Sequence, residues 1–123
     1  MNLTLLILAL IQVESRGDAK AIGDNGLAWG CLQQHEVFVR DVNRIYGTHF
    51  THKDSLDPVK AVKMATLYLQ HYGSESRLGH VASDEELARM FNGGPNGHKK
   101  SATLKYWDKV ERELEAMANW VAK

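Results

Sequence analysis

The sequence has a single cysteine, Cys31, and no net charge among its 123 residues. One cysteine excludes an internal disulfide framework, although it does not identify the compartment, since many exported proteins also lack disulfides. Lysine plus arginine and aspartate plus glutamate number 15 each. A protein that binds nucleic acid through bulk positive charge is therefore excluded, and nucleic acid is not an expected partner.

The chain also lacks a hydrophobic run long enough to cross a membrane. Its N-terminal apolar run, residues 3–13, has about eleven residues, whereas a membrane-spanning helix needs roughly 20. The run resembles the apolar core of a signal peptide, but no Lys or Arg precedes it and no convincing small-x-small cleavage site follows it. We therefore predict a buried core helix here and no membrane insertion.

The remaining composition fits one globular domain spanning residues 1–123, with 44% hydrophobic and 24% charged residues. Asp57 is a predicted N-cap before Pro58, and Ser83 opens a capping box. No strand signal extends beyond a glycine-rich loop, so the fold is predicted to be mainly α. Periodicity and helix-end signals place helices at about residues 3–13, 36–46, 58–72, 84–90 and 102–122.

The segments around these helices carry further predictions. Residues 48–56 are a predicted polar connector, and residues 74–81 are a predicted flexible surface link. Apolar residues at helical spacing predict a buried stripe on the last helix, formed by Leu104, Trp107, Val110, Leu114, Met117 and Val121.

Glu14 stands where the N-terminal apolar run ends, in the predicted last turn of its helix. We expect partial burial beside Leu10 and Ile11, together with the negative end of the helix dipole, to raise the pKa of its carboxyl group and Arg16 to lower it, which leaves the direction of the net shift open. A carboxyl group that is protonated near neutral pH is what a general acid requires. The alternative interpretation is a surface glutamate that merely finishes an amphipathic helix.

A glycine-rich loop at residues 17–30 is unusually long for a connection without a function. Within it, residues 24–26, Asp-Asn-Gly, predict a turn or the tip of a small hairpin. Trp29 and Gln33 follow close together. This combination suits a sugar site, where aromatic faces stack on rings and amides bind hydroxyl and acetamido groups. Core packing of Trp29 and solvent exposure of the glutamine are the alternatives.

The histidines and the cysteine indicate no metal or cofactor. No histidine pair has the spacing of a helical zinc motif, and His49-x-x-His52 lies in a predicted connector. The hydrophobic neighbours of Cys31 favour a buried thiol over a nucleophile. We therefore expect neither a metal ion nor a cofactor.

Four short motifs together resemble those of the soluble lytic transglycosylase family, which shares its fold with goose-type lysozymes. Glu14-Ser15 is similar to the family's Glu-Ser motif, and residues 30–34, Gly-Cys-Leu-Gln-Gln, resemble its Gly-Leu-Met-Gln-Ile motif. Residues 91–94, Phe-Asn-Gly-Gly, resemble the Ala-Tyr-Asn-Ala-Gly segment, and Tyr106 matches the tyrosine that approaches the catalytic carboxyl group. The sequence departs from the family pattern at Cys31, Gln34 and Phe91.

This resemblance implies a lysozyme-like single domain in which the glycine-rich loop or hairpin lines a cleft. It implies cleavage of the β-1,4 bond between N-acetylmuramic acid and N-acetylglucosamine in peptidoglycan. Glu14 would protonate the leaving oxygen and then act as base, with Ser15 and Tyr106 orienting it through hydrogen bonds. The other residues implied to contact the substrate are Trp29, Gln33, Phe91, Asn92 and Gly94.

Two reaction routes stay open at this point. A lytic transglycosylase uses the sugar's own 6-hydroxyl as acceptor, gives a 1,6-anhydro product and needs only one protein carboxylate. An inverting lysozyme needs a second carboxylate, about 6.5–9.5 Å from the first, to activate water. Asp24 is the best candidate for that second carboxylate, and Asp18 is the next.

A non-catalytic wall-binding or structural module, within a secretion system or a phage particle, is the competing interpretation, and a chitin-cleaving relative is a third. The expected partner is the peptidoglycan glycan strand, the expected oligomeric state is a monomer, and the expected site of action is the cell envelope or periplasm. Because no signal peptide is convincing, the chain fits either a phage lysis enzyme or a domain of a longer exported protein.

Overall fold

The computed structural model describes residues 2–122 and, among these, the side chains of residues 2–120. Its helices and strands, in chain order, are α1 (Thr4–Ser15), β1 (Ile22–Gly23), β2 (Ala28–Trp29), α2 (Glu36–Tyr46), α3 (Pro58–Tyr72), α4 (Glu75–Leu78), α5 (Asp84–Gly93) and α6 (Leu104–Ala122). Short 3-10 helices lie at Asp24–Gly26, His52–Leu56, Gly97–Lys99 and Ser101–Thr103. The predicted mainly α fold is confirmed.

Local capping chemistry explains where the helices begin. The side chain of Asp57 accepts hydrogen bonds from the backbone N–H groups of Val59 and Lys60, at 3.0 and 3.4 Å. Ser83 and Glu86 form a reciprocal capping box at the start of α5. Each cap satisfies backbone donors that have no partner inside the helix. Both predicted N-termini are confirmed.

The core forms where α1, α3, α5 and α6 pack together. Side chains without solvent exposure fill it, and the largest apolar ones are Leu10, Leu32, Val42, Met64, Leu69, Met90 and Val110. On α1, by contrast, Leu5 and Leu8 are exposed. This helix is therefore buried along one side rather than over most of its surface, because an apolar run alone does not reveal where its neighbours lie.

The stripe predicted on α6 is confirmed in its middle and wrong at its start. Val110 is fully buried, and Trp107 packs against the core. Leu104, however, is 46% exposed. It is the first residue of α6, and Thr103 just before it takes the buried position instead. The predicted burial of Val121 concerns a side chain outside the described residues.

Two connections are more ordered than predicted. Residues 48–56 contain the 3-10 helix at His52–Leu56, which Thr51 caps with the help of Asp54. Residues 74–81, predicted as a flexible link, contain α4, whose N-cap is Ser74.

None of the helices within residues 2–122 is long and apolar enough to span a bilayer.

The glycine-rich loop folds into a small hairpin. β1 and β2 pair antiparallel, and the turn between them uses positive φ angles at Asp24 (50°) and Asn25 (56°). Aspartate and asparagine tolerate this left-handed region better than most residues. The hairpin tip predicted at residues 24–26 is confirmed.

Gly30 fixes the hairpin against the 3-10 helix at His52–Leu56. Its φ is 84°, and a Cβ atom added there would lie 1.8 Å from the carbonyl oxygen of Ser55. Only glycine permits this approach of one backbone segment to another. The hairpin therefore has its position set by a contact that no other residue could make.

Gly30→Ala and Gly26→Ala form a matched pair that isolates this contact. Both glycines have a positive φ, 84° and 89°, but nothing lies within 4 Å of a Cβ atom at Gly26. Each variant should lose roughly 1–2 kcal/mol because alanine strains in the left-handed region. Gly30→Ala should lose about 1–3 kcal/mol more because of the clash. Urea denaturation measures both losses, and equal values would contradict this account.

Candidate functional site

A cleft of about 750 Å³ lies between the hairpin, α2, α3 and the end of α5. Ligand pockets typically enclose roughly 300–1,000 Å³. Glu14 reaches this cleft from α1. Five other predicted site residues also line it: Asp24, Gln33, Phe91, Asn92 and Gly94. Three predicted site residues within the described part of the chain do not line the cleft: Ser15, Trp29 and Tyr106.

Tyr106 contacts the cleft indirectly, through Glu14. Its hydroxyl group donates a hydrogen bond of 2.8 Å to Oε2 of Glu14, across 92 positions of the chain. Tyr106 lies in the first turn of α6 and Glu14 in the last turn of α1. The packing of these two helices therefore brings the predicted acid and the predicted tyrosine together.

Burial raises the pKa of the Glu14 carboxyl group above its ordinary value. Removing water disfavours the charged form, and this effect is larger than the two that oppose it. The opposing effects are the hydrogen bond from Tyr106 and the positive charge of Lys109 on α6. The sequence left the direction of the net shift open between burial and Arg16; burial has the larger effect, and the opposing cation is Lys109 and not Arg16.

Ser15 does not contact Glu14 in the way predicted. Its hydroxyl group donates to the carbonyl oxygen of Cys31 at 2.8 Å, and its Oγ accepts from the backbone N–H of Gly17 at 3.2 Å. The side chain thus ties the end of α1 to the segment after the hairpin. Cys31 itself is buried, as predicted, and burial raises the pKa of its thiol.

Gln33 shapes the wall of the cleft opposite α2. Its Nε2 donates to the carbonyl oxygens of Ala21 (3.1 Å) and Gly30 (3.0 Å), so both amide hydrogens are used within the hairpin region. Its Oε1 lies against Gly23, where a Cβ atom would come within 2.2 Å. Gln33 is therefore rigidly placed at the cleft, with its oxygen as the atom left to accept a hydrogen bond.

Trp29 was predicted to contact the substrate, but it does not line the cleft. Its ring stacks on His52 at a centroid distance of 3.9 Å and an angle of 9°, and its Nε1 donates to the carbonyl oxygen of Gly26. One aromatic face is thus covered by protein rather than presented to the cleft. His52 in turn contacts the Gln34 carbonyl oxygen through Nε2. The described residues contain no group of three metal-ligating side chains placed to hold an ion.

Asp24 lies at the rim of the cleft, and its side chain is 57% exposed. Its Oδ2 is 3.1 Å from Nε2 of His35, which also lines the cleft. Asp18, the second candidate for a further carboxylate, accepts a hydrogen bond from the backbone of Lys20 instead. Among the described residues, the cleft thus has three carboxyl groups, of which the third is Asp41 on α2.

The α2 and α3 wall of the cleft was not predicted. Phe38, Asp41 and Tyr68 line it, and each fits an ordinary helix pattern in the sequence. Phe38 and Tyr68 occupy positions of apolar stripes, and Asp41 looks like a surface charge. Only the packing of α2 beside α3 turns these residues toward one cavity.

Comparisons with known proteins identify the family of the chain. A family model described as the transglycosylase SLT domain matches residues 2–113. A lysozyme of Magallana gigas is 41% identical over 46 residues, which is 37% of this chain and 32% of that protein. A lysozyme of Ostrea edulis is 38% identical over 53 residues, 43% of this chain and 37% of that protein. The matched segment spans about a third of each curated relative.

A solved structure is similar over most of the chain. A chain of the crystal structure of Aeromonas hydrophila PliI in complex with Meretrix lusoria lysozyme aligns with a TM-score of 0.72. The alignment covers 88% of this chain and 87% of that one, at 24% sequence identity. At this identity the likeness establishes the fold.

Glu14→Gln tests the electrostatics of the site through stability. Because the pKa of Glu14 is raised on folding, the folded protein binds this proton more tightly than the unfolded chain does. The resulting stabilisation is complete below the ordinary pKa and disappears as the pH rises through the folded-state pKa. Glu14→Gln, uncharged at every pH, should therefore gain stability over the wild type as the pH rises above 4.5, the ordinary pKa of the carboxyl group.

Urea denaturation at a series of pH values measures this difference. Tyr106→Phe supplies the control, since it removes the hydrogen bond that lowers the pKa of Glu14. In the Tyr106→Phe background, the gain from Glu14→Gln should be larger at neutral pH. A gain that does not change with pH would show that the carboxyl group has no shifted pKa.

Proposed function

The chain belongs to the transglycosylase SLT domain family, and on that premise we propose that it cleaves the β-1,4 bond between N-acetylmuramic acid and N-acetylglucosamine in peptidoglycan. The lysozyme-like fold predicted from sequence agrees with this membership. The observation that carries the proposal is the 2.8 Å hydrogen bond from Tyr106 to Glu14, a half-buried carboxyl group that lines the cleft.

Glu14 acts as the general acid and then as the general base. Its raised pKa keeps a proton available for the glycosidic oxygen as the bond breaks. Proton transfer leaves a carboxylate in a partly desolvated place. The Tyr106 hydroxyl, 2.8 Å away, stabilises that carboxylate by donating to it. The carboxylate then accepts a proton from the hydroxyl group that attacks the sugar.

The cleft residues beside Glu14 hold the sugars. The exposed Asn92 supplies an amide for acetamido or hydroxyl groups, and the Gln33 oxygen accepts from a substrate N–H or O–H. Phe91 provides an apolar surface beside the reacting centre, and Gly94 leaves room for a ring to approach. Ser15 and Trp29 act from outside the cleft by holding the end of α1 and the hairpin in position.

The pairing of Asp24 favours the intramolecular route to a 1,6-anhydro product. Asp24 lies 3.1 Å from His35, and Asp41 is bound by Arg44 and Tyr72. Of the three carboxyl groups lining the cleft, these two are therefore engaged by other side chains. A hydrolytic, inverting route needs a carboxylate that is available to activate water. The intramolecular route needs only Glu14.

Glu14→Gln should reduce the clearing of purified cell walls by about 10²- to 10⁴-fold, the usual contribution of general acid–base catalysis. Glutamine keeps the size of the side chain and removes the proton. Glu111→Gln, an exposed change on α6 away from the cleft, is the matched control and should clear walls like the wild type. Equal clearing by Glu14→Gln and the wild type would contradict the catalytic role of Glu14, and no clearing by either would favour a non-catalytic wall-binding module.

Asp24→Asn distinguishes the two routes when it is combined with mass spectrometry of the released muropeptides. On the proposed route, anhydro ends dominate and Asp24→Asn keeps activity within about threefold of the wild type, since no base at this position takes part. Reducing ends together with an inactive Asp24→Asn would instead assign hydrolysis with Asp24 as the base. Chitin oligomers, offered in parallel, test for activity on a polymer of N-acetylglucosamine alone.

The cell wall is then the place where the protein acts, in the envelope or periplasm. We expect it to work as a monomer, because the cleft is complete within one chain. Its formal net charge is zero, so binding to the wall depends on contacts within the cleft rather than on bulk attraction.

A further inference from the structure

A row of aromatic rings runs along one wall of the cleft. Phe91 lies 5.6 Å from Phe38, Phe38 lies 4.5 Å from Tyr68, and Tyr68 lies 4.8 Å from Tyr72, measured between ring centroids. The first three of these residues line the cleft. Part of the wall of the cleft is thus a continuous aromatic surface.

This aromatic row ends in a charged group on α2. The Tyr72 hydroxyl donates to Oδ2 of Asp41, and Arg44 donates to Oδ1 through Nε (3.2 Å) and Nη2 (2.7 Å). Both oxygens of Asp41 are therefore occupied, and the guanidinium of Arg44 is held in a fixed orientation. Within the described residues, Nη1 of Arg44 makes no hydrogen bond, and the side chain is 68% exposed.

Arg40 lies one turn before Arg44 on the same face of α2, and both line the cleft. Within the part of the chain that the structure describes, the Arg40 guanidinium makes one hydrogen bond, 3.0 Å from Nη2 to Oε1 of Glu36, and its side chain is 74% exposed. Exposed pairs at this spacing contribute little free energy, so a ligand can readily replace Glu36. Arg77 places a third guanidinium 5.4 Å from the Tyr72 ring, but it does not line the cleft and it donates to the carbonyl oxygens of Tyr72 and Pro95.

We propose that Arg40 and Arg44 bind a carboxylate carried on the lactyl–peptide arm of N-acetylmuramic acid; this inference rests on the proposed function. The glycan backbone itself is uncharged. The arm at O3 of muramic acid carries carboxylates away from that backbone, either in the peptide stem or, where the stem is missing, on the lactyl group. Two guanidinium groups on one helix face match a planar carboxylate through paired N–H donors. Arg40 and Arg44 thus determine specificity for peptidoglycan over a neutral glycan.

Three substrates test the proposal: glycan strands with peptide stems, strands from which an amidase has removed the stems, and chitin oligomers. Arg40→Gln/Arg44→Gln should lose about tenfold in kcat/KM on stem-bearing strands, as expected for hydrogen bonds between charged groups. On chitin oligomers, binding should change by less than about twofold, within the usual effect of a surface substitution. Arg112→Gln, which removes the same charge from an exposed site on α6, should behave like the wild type on all three.

The single variant Arg40→Gln is a control for misfolding. Arg40 forms only an exposed ion pair with Glu36, whereas Arg44 also holds Asp41 in place. It should show a smaller loss in the same direction, with an unchanged melting temperature. Loss on stem-bearing strands alone assigns the carboxylate to the peptide, loss on amidase-treated strands alone assigns it to the free lactyl group, and loss on both shows that the two arginines accept either carboxylate. Equal loss on all three substrates, or loss on none, would overturn the proposal.

A binding measurement separates this inference from the proposed catalytic function. In the Glu14→Gln background no cleavage is needed, and the affinity for each of the three glycans is measured directly. If the wild type cleaves nothing, the catalytic proposal fails, while the affinities still decide whether Arg40 and Arg44 recognise a carboxylate. Weaker binding of stem-bearing strands at higher ionic strength is a further expected result.

Discussion

The hydrogen bond between Tyr106 and Glu14 is the interaction on which the site depends. It joins the first turn of α6 to the last turn of α1 at 2.8 Å. The same helix α6 carries Lys109, which opposes the effect of burial on the pKa of Glu14. The protonation state of one carboxyl group is thus set largely by how two helices from opposite ends of the described chain pack together.

Predictions from the sequence succeeded where the signal is local. Asp57 and Ser83 act as caps through backbone groups within three residues, so their neighbours along the chain suffice to identify them. The predicted burial of Leu104 was wrong because the exposure of this side chain depends on which side of α6 packs against other helices. The order at residues 74–81 was missed because α4 is only four residues long, too short for periodicity to reveal.

The candidate site follows the same division. Glu14, Gln33 and Asn92 lie on one cleft, as the resemblance in their motifs implied. Ser15 and Trp29 contact protein instead, because their partners, Cys31 and His52, come from segments that the sequence gives no reason to place beside them. The α2 wall of the cleft was not predicted, because its residues follow an ordinary helix pattern. Such a pattern does not indicate whether a cavity lies beside the helix.

The distance along the chain between Glu14 and Tyr106 also bears on biosynthesis. The ribosome synthesises α1 long before it reaches Tyr106. A further 92 residues after Glu14 must be translated before Tyr106 is present and the two helices can dock. Contacts so far apart in sequence form late, since much of the chain must be ordered first. Until α6 is present, Glu14 lacks the hydrogen bond from Tyr106 and the nearby charge of Lys109. On the proposed function, a nascent chain is therefore inert until Tyr106 has been translated and α6 has docked on α1.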